Sequence, residues 1–259
     1  MSFFHTIILG IVEGITEFLP ISSTAHLEIF HNLLLIPTSD FVKSFEIAIQ
    51  LGAILAVVFL YRKNLCSSWI YFRNIIIAFI PTGIIGFLLY QFIKSFLMGN
   101  LEVVASALIL GGIVIIFFEK REENKIEDTA LKTIEMLSIK ELLILGCAQT
   151  LAVIPGVSRS GAVIVSGRLL GLPKNLITEF SFLLAIPTML SATAYDLFKS
   201  GFLFSSSEWG NIALGFIVAF FAALVVVKWL INYIKNHSFS AFGWYRIVLG
   251  ISVFYLLIW

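Results

Sequence analysis

The chain has 259 residues, 59% of them hydrophobic and 13% charged, with a formal net charge of +1 and a mean hydropathy of +1.00. So apolar a composition excludes an ordinary soluble domain and indicates repeated membrane-spanning helices, while near-neutrality offers no basic field for nucleic acid, so no such partner is expected. Cys66 and Cys147 stand apart from each other and from any histidine cluster, which argues against a disulfide framework and a thiolate zinc site.

The opening "MSFFHTIILG" lacks the basic start and small-residue cleavage site of a secretion signal and reads as part of the mature protein. The first apolar stretch, Phe3 to Leu19, carries Glu13 and Glu17, stops at Pro20 and resumes after a polar knot, "LPISSTAH". Three crossings are predicted next, at Phe45 to Leu60, Ile75 to Phe92 and Val103 to Phe118. A charged stretch runs from Glu119 to Glu141, and a second broken apolar segment, Leu142 to Ile154, stops at "IPGVSRSGA". Crossings at Phe180 to Leu197, Ile212 to Ile231 and Ile247 to Trp259 complete six. The two interrupted stretches read as broken or re-entrant helix pairs, because a proline ends a helix and the serines that follow can cap a new one.

The two knots align: "LGIVEGITEFLPISST" over "LGCAQTLAVIPGVSRS" sets Glu13 over Gln149, Pro20 over Pro155 and, after a one-residue gap, Ser22 over Ser158. Downstream, "FEIAIQLGAILA" from Phe45 aligns with "FSFLLAIPTMLS" from Phe180. The expected fold is therefore all-α and integral to the membrane, in two homologous halves, residues 1–118 and 142–259, joined by the linker 119–141. One re-entrant pair and three crossings per half make the second half inverted relative to the first. Arg62, Lys63 and Arg73 fall in one predicted loop, Lys120, Arg121, Lys125, Lys132 and Lys140 in the linker, and Lys228, Lys235 and Arg246 in the last loop; the opposite loops carry little beyond Lys94 and Lys199. The positive-inside rule then sets the linker in the cytoplasm and both termini outside, with one knot dipping in from each face to meet at mid-depth.

Glu13 and Glu17 are four apart and project from one helical face, where like charges repel; at membrane depth such residues face a protein interior or a wet cavity and mark a functional site. Ser22, Ser23 and Thr24 begin a helix whose free N–H groups suit an anion. The second knot repeats the break with Ser158, Ser160 and Gly161 and adds Arg159, whose planar fork matches phosphate oxygens. Without substrate, Arg159 is expected to pair with Glu13 or Glu17. His26 lies three residues past Ser23, a spacing that predicts a shared hydrogen bond and the geometry of a nucleophile and its base. Glu46 and Gln50, four apart on the next helix, are read as a supporting shell or cavity wall, with Ser181 in the place of Glu46 in the second half. His5, His31 and His237 stand apart from polar company and are assigned no role. Carboxylates without clustered histidines or cysteines favour a hard cation, Mg²⁺ or Ca²⁺, held by Glu13 and Glu17 against a diphosphate.

"EGITEFLPISSTAH", "PGVSRSG", "FEIAIQLGAILAVV" and "EFSFLLAIPTMLSATAYDL" together resemble the undecaprenyl-diphosphate phosphatase family of bacterial envelopes, also called bacitracin-resistance proteins, over essentially the whole chain. The resemblance implies hydrolysis of a polyprenyl diphosphate lipid to its monophosphate in the bacterial inner membrane, recycling a carrier of wall synthesis. It also implies an outward-facing site and a homodimer in many members. It places the family's acidic motif on Glu13 and Glu17, its serine and histidine on Ser23 and His26, and its phosphate-binding arginine on Arg159. Ala25 stands where the family commonly has glycine, a small-for-small change. Whether Ser23, His26 or a metal-activated water attacks phosphorus stays open at this level. The competing reading is a carrier or flippase of a polyprenyl phosphate or other anion, since inverted repeats with broken helices at mid-membrane are what secondary transporters use.

Overall fold

The computed structural model describes residues 1–37, 39–92, 97, 100–122, 132–200 and 204–258. Lys94, Lys125 and the middle of the predicted linker, residues 123–131, lie outside the described residues, as does the side chain of Cys66. The described residues form helices and connecting turns and no strand. Six helices are long and apolar enough to cross a membrane: α3 (Asp40–Ser67), α4 (Trp69–Phe92), α5 (Leu101–Glu122), α8 (Lys174–Ser200), α9 (Ser206–Ile234) and α10 (Ser240–Ile258). The protein is a multi-pass, all-α membrane protein.

Four shorter helices make the two predicted breaks. α1 (Phe3–Thr16), capped by Ser2, has 14 residues, about 21 Å at 1.5 Å per residue, well short of a hydrocarbon core about 30 Å thick. It ends at Glu17, and the chain turns through Pro20 into α2 (Ser23–Leu33), whose cap Ser22 has φ 70° and accepts from the Ala25 amide. α6 (Ile139–Gln149) begins with a reciprocal Ser138/Glu141 capping box and ends in a 3-10 turn, Thr150–Val153. After Pro155 and Gly156, α7 (Arg159–Leu169) starts on Ser158, which accepts from the Gly161 amide. Gly156 has φ +94°, left-handed backbone that glycine adopts without strain.

The long helices overrun the apolar segments. Arg62 and Lys63 sit in the last turns of α3, Arg73 in the first turns of α4 and Lys228 in α9, not in loops. Arg246 departs furthest: it lies within α10 and is 2% exposed, so it does not count toward the positive-inside asymmetry.

The short helices pack on long ones far away in the chain, α1 on α9 and α6 on α4; α3 packs on α8 and α9, α8 on α3 and α4, and α5 on α10. Small residues permit these approaches, as in membrane packing generally. A Cβ on Gly14 would stand 2.5 Å from the Ala219 carbonyl oxygen of α9, and one on Gly146 2.1 Å from that of Ala78 on α4. Seating α1 so deeply turns Glu13, next to Gly14, into the protein, where it is 0% exposed. The main apolar core lies beside the breaks, with Phe18 packed edge-on against Phe182 at 5.2 Å between ring centroids.

Candidate active site

The two breaks meet. Leu19 of the first offers its carbonyl oxygen to the Ser160 hydroxyl at 2.9 Å and to the Ser158 hydroxyl at 3.4 Å. This juxtaposition brings the start of α2 beside the start of α7, and with it Arg159 onto Glu17. Arg159 Nη2 donates to Glu17 Oε1 at 2.8 Å, and its Nη1 donates to the Ser181 carbonyl oxygen on α8. The guanidinium also lies over the Phe18 ring, 5.8 Å from its centroid. Its Nε is buried without an acceptor, one donor to spare for an incoming oxygen.

Ser23 does not bond to His26. Its hydroxyl donates to Glu17 Oε2 at 2.5 Å, while His26 Nδ1 meets the Ser22 carbonyl oxygen at 2.7 Å and Nε2 meets the Tyr245 hydroxyl at 2.8 Å. A carbonyl only accepts, so Nδ1 carries a hydrogen there, and in the neutral ring Nε2 accepts from Tyr245. Three-residue spacing does put Ser23 and His26 on adjacent turns, but Ser23 turns back across the break to a carboxylate and His26 turns outward to α10, stacked on the Tyr245 ring at 5.6 Å and 4°.

Glu17, Ser22, Ser23, Thr24, Ser158 and Arg159 are among the residues lining a cavity of about 450 Å³, in the size range of small-molecule sites. Gln50 lines it as expected of a wall residue. Apolar residues of α4 and α8, including Phe79, Phe87, Met189 and Ala192, form much of the remainder. Ser160 is buried behind this wall on Leu19, Gly161 packs near Pro20, and His26, Glu13 and Glu46 do not line the cavity. Glu46 instead meets His31 at 3.3 Å, so His31 has polar company that the sequence did not disclose.

Glu13 is the residue most in need of a partner. Its charged surroundings are Glu17, Glu46 and Arg159, yet neither of its buried carboxyl oxygens has a hydrogen-bond donor. Two orphaned hard oxygens are ligand atoms of the type a divalent cation takes, set behind the cavity wall rather than in it. Both oxygens of Glu17 are already engaged, by Arg159 and Ser23. Among the described residues no cluster of three or more His, Cys, Asp or Glu side chains has metal-binding geometry.

Sequence reasoning missed three features. Gln149, aligned with Glu13, is fully buried at the cavity wall and donates to Thr82 at 2.9 Å and Thr188 at 3.0 Å. Tyr245 holds His26. Arg246 reaches both breaks. The Glu13/Gln149 alignment already pointed to the first; an arginine inside the apolar run "WYRIVLG" was the available signal for the last.

Residues 6–252 match the family model described as bacitracin resistance protein BacA. The chain is 53% identical over 251 residues, 97% of each chain, to a protein of Aquifex aeolicus named undecaprenyl-diphosphatase. It is 50% identical to one of the same name from a Sulfurihydrogenibium species and 49% identical to one from Wolinella succinogenes, each over 99% of both chains. With both polar breaks, the arginine of the second and the carboxylates of the first all inside the matched span, the chain belongs to the bacitracin resistance protein BacA family.

Proposed function

We infer that this protein is a hydrolase that cleaves undecaprenyl diphosphate to undecaprenyl phosphate and inorganic phosphate, regenerating a lipid carrier of wall synthesis. The observation that carries the reading is the meeting of Arg159, Glu17 and Ser23 in the wall of a largely apolar cavity. Relatives alike over almost the full length are named as diphosphatases, which favours hydrolysis over a carrier.

The residues assign the chemistry as follows. The terminal phosphate replaces part of the Glu17–Arg159 contact, and Arg159 holds its oxygens through Nη and the unpartnered Nε, with Ser22, Thr24 and Ser158 offering donors at the starts of α2 and α7. Ser23 Oγ attacks phosphorus as its proton passes to Glu17, the carboxylate it already touches. The new Oγ–P bond forms as the bridging P–O bond breaks, and the electron pair leaves on undecaprenyl phosphate. Glu17 passes the Ser23 proton to the departing undecaprenyl phosphate and is a carboxylate again. It then deprotonates a water that attacks phosphorus, the Oγ–P bond breaks, inorganic phosphate leaves, and Ser23 Oγ takes the proton back from Glu17. His26 holds the Ser22 carbonyl, and so the turn that presents Ser23, from the α10 side. Mg²⁺ or Ca²⁺ would neutralise diphosphate charge, with Glu13 and the Glu17 oxygen that Arg159 gives up to the phosphate as the residues to hold it.

We further read the halves as inverted repeats, with the exchanged packing of α1 on α9 and α6 on α4 in support. The site then opens to the outside of the bacterial inner membrane, as the positive charges remaining near the linker favour. A homodimer is carried by family resemblance. Phosphate release from undecaprenyl diphosphate by purified protein in detergent, where transport has no meaning, tests the function; an intact substrate would refute it.

A further inference from the structure

Arg246 is among the largest fully buried side chains of the protein and makes no ion pair among the described residues. Its guanidinium is satisfied by carbonyl oxygens alone. Nη1 donates to Pro20 at 3.1 Å, Nη2 to Gly156 at 2.8 Å and to Ala107 at 3.0 Å, and Nε to Leu108 at 3.4 Å. A cation taken out of water at such depth is costly, and carbonyl dipoles offset that cost only when several converge.

The choice of carbonyls is specific. Pro20 lies two residues before Ser22, the cap of α2, and Gly156 two residues before Ser158, the cap of α7. One guanidinium thus binds the same position in both breaks and ties both to α5. Pro20 and Gly156 lie in the turns between helices, so neither carbonyl has a partner within a helix. A lysine has no planar fork and cannot span two carbonyls on separate segments with a third on α5. Room is provided by Gly111 on α5: a Cβ there would lie 2.1 Å from Arg246 Nη2 and 2.7 Å from its Cζ.

We propose that Arg246 is a positioning residue for the hydrolysis inferred above, a clamp that holds the two helix starts in register so that Ser23 from one and Arg159 from the other face the same phosphate. It touches neither substrate nor reacting atoms. Its contribution is to keep a junction between segments 136 residues apart, Pro20 and Gly156, at fixed separation. The proposal rests on the diphosphatase reading.

Two variants test it in purified full-length protein with undecaprenyl diphosphate as substrate. Arg246→Lys removes the fork and keeps the charge; Gly111→Ala keeps Arg246 and pushes its guanidinium from the carbonyls, since the nearest atoms to the new methyl all belong to that flexible side chain. Gly210→Ala, whose methyl meets nothing within 4 Å, is the control for adding a methyl to a helix. In each case turnover is measured per folded molecule, with folding followed by thermal unfolding and size-exclusion profile. Both test variants are expected to lose about 10- to 100-fold in kcat, the scale of a small misplacement of reacting groups. KM, set largely by the lipid tail, should change less than about threefold and the control not at all. Normal kcat per folded molecule in either variant, even with a lowered folded yield, would overturn the clamp and leave Arg246 a stability element. Should Arg246→Lys not fold, Gly111→Ala alone decides. An inactive wild type would instead defeat the diphosphatase reading itself.

Discussion

Arg159 and Glu17, separated by 142 positions in the chain, meet at 2.8 Å in the protein interior, each less than 10% exposed. The pair joins the two breaks, from the end of α1 to the start of α7. It also neutralises in advance the cation that a phosphate will need. Arg159→Ala should abolish phosphate release, and Arg159→Lys should lose nearly as much, on the order of 10²-fold, because an ammonium cannot hold Glu17, the Ser181 carbonyl and a phosphate oxygen together. Steady-state kinetics on the two variants decides; a lysine variant within about threefold of wild type would show that charge alone suffices.

Ser23 donates its hydroxyl hydrogen bond to Glu17 Oε2, so in the proposed mechanism Glu17→Gln keeps the shape of the site and removes the base. A loss of about 10²- to 10⁴-fold in kcat is expected, the scale of general-base catalysis. Retained monodispersity on size exclusion would show that the fold survives. Glu17→Gln with unimpaired turnover would transfer the base role elsewhere.

The proposed cation is motivated by the orphaned oxygens of Glu13. Removal of divalent ions with EDTA should stop turnover, and Mg²⁺ or Ca²⁺ should restore it. In Glu13→Gln the concentration of metal needed for half-maximal rate should rise by about tenfold or more, the scale seen when the support of a metal site is weakened. Full activity in EDTA would dispose of the metal.

His26 bridges the Ser22 carbonyl and the Tyr245 hydroxyl rather than Ser23. Tyr245→Phe removes one neutral hydrogen bond, about 1 kcal/mol or roughly fivefold, and should cost no more than that in kcat. His26→Ala, which also frees the turn that carries Ser23, should cost more. Equal and large losses in both would give Tyr245 a direct part in the reaction.

Much of this arrangement was legible in the chain before folding was considered. Two prolines, each followed by serines inside otherwise apolar runs, marked both breaks. Proline alone is not the signal, since Pro81 and Pro187 lie inside α4 and α8, and it is the hydroxyls after it that can start a new helix. The pairing of Arg159 with a carboxylate followed from the need of a buried charge for its opposite. What escaped depended on direction rather than spacing. Ser23 and His26 are three apart, yet each found a better partner across a different interface, which no periodicity specifies. Arg246 was placed in a loop because arginine is rare at depth; its partners are backbone carbonyls from three separate segments, and backbone groups leave no mark in the sequence. Helix ends were underestimated for a related reason, since α3 and α4 carry their basic residues within helical turns at the membrane edge.

The stereochemical course at the terminal phosphorus tests the Ser23 route most directly. A substrate made chiral there with oxygen isotopes and sulfur, hydrolysed in labelled water by wild-type protein, reports how many displacements occur. Attack by Ser23 followed by water gives two in-line displacements, and retention of configuration is the expected result. Inversion would mean one displacement by water, and Ser23 could then be no more than a donor to Glu17.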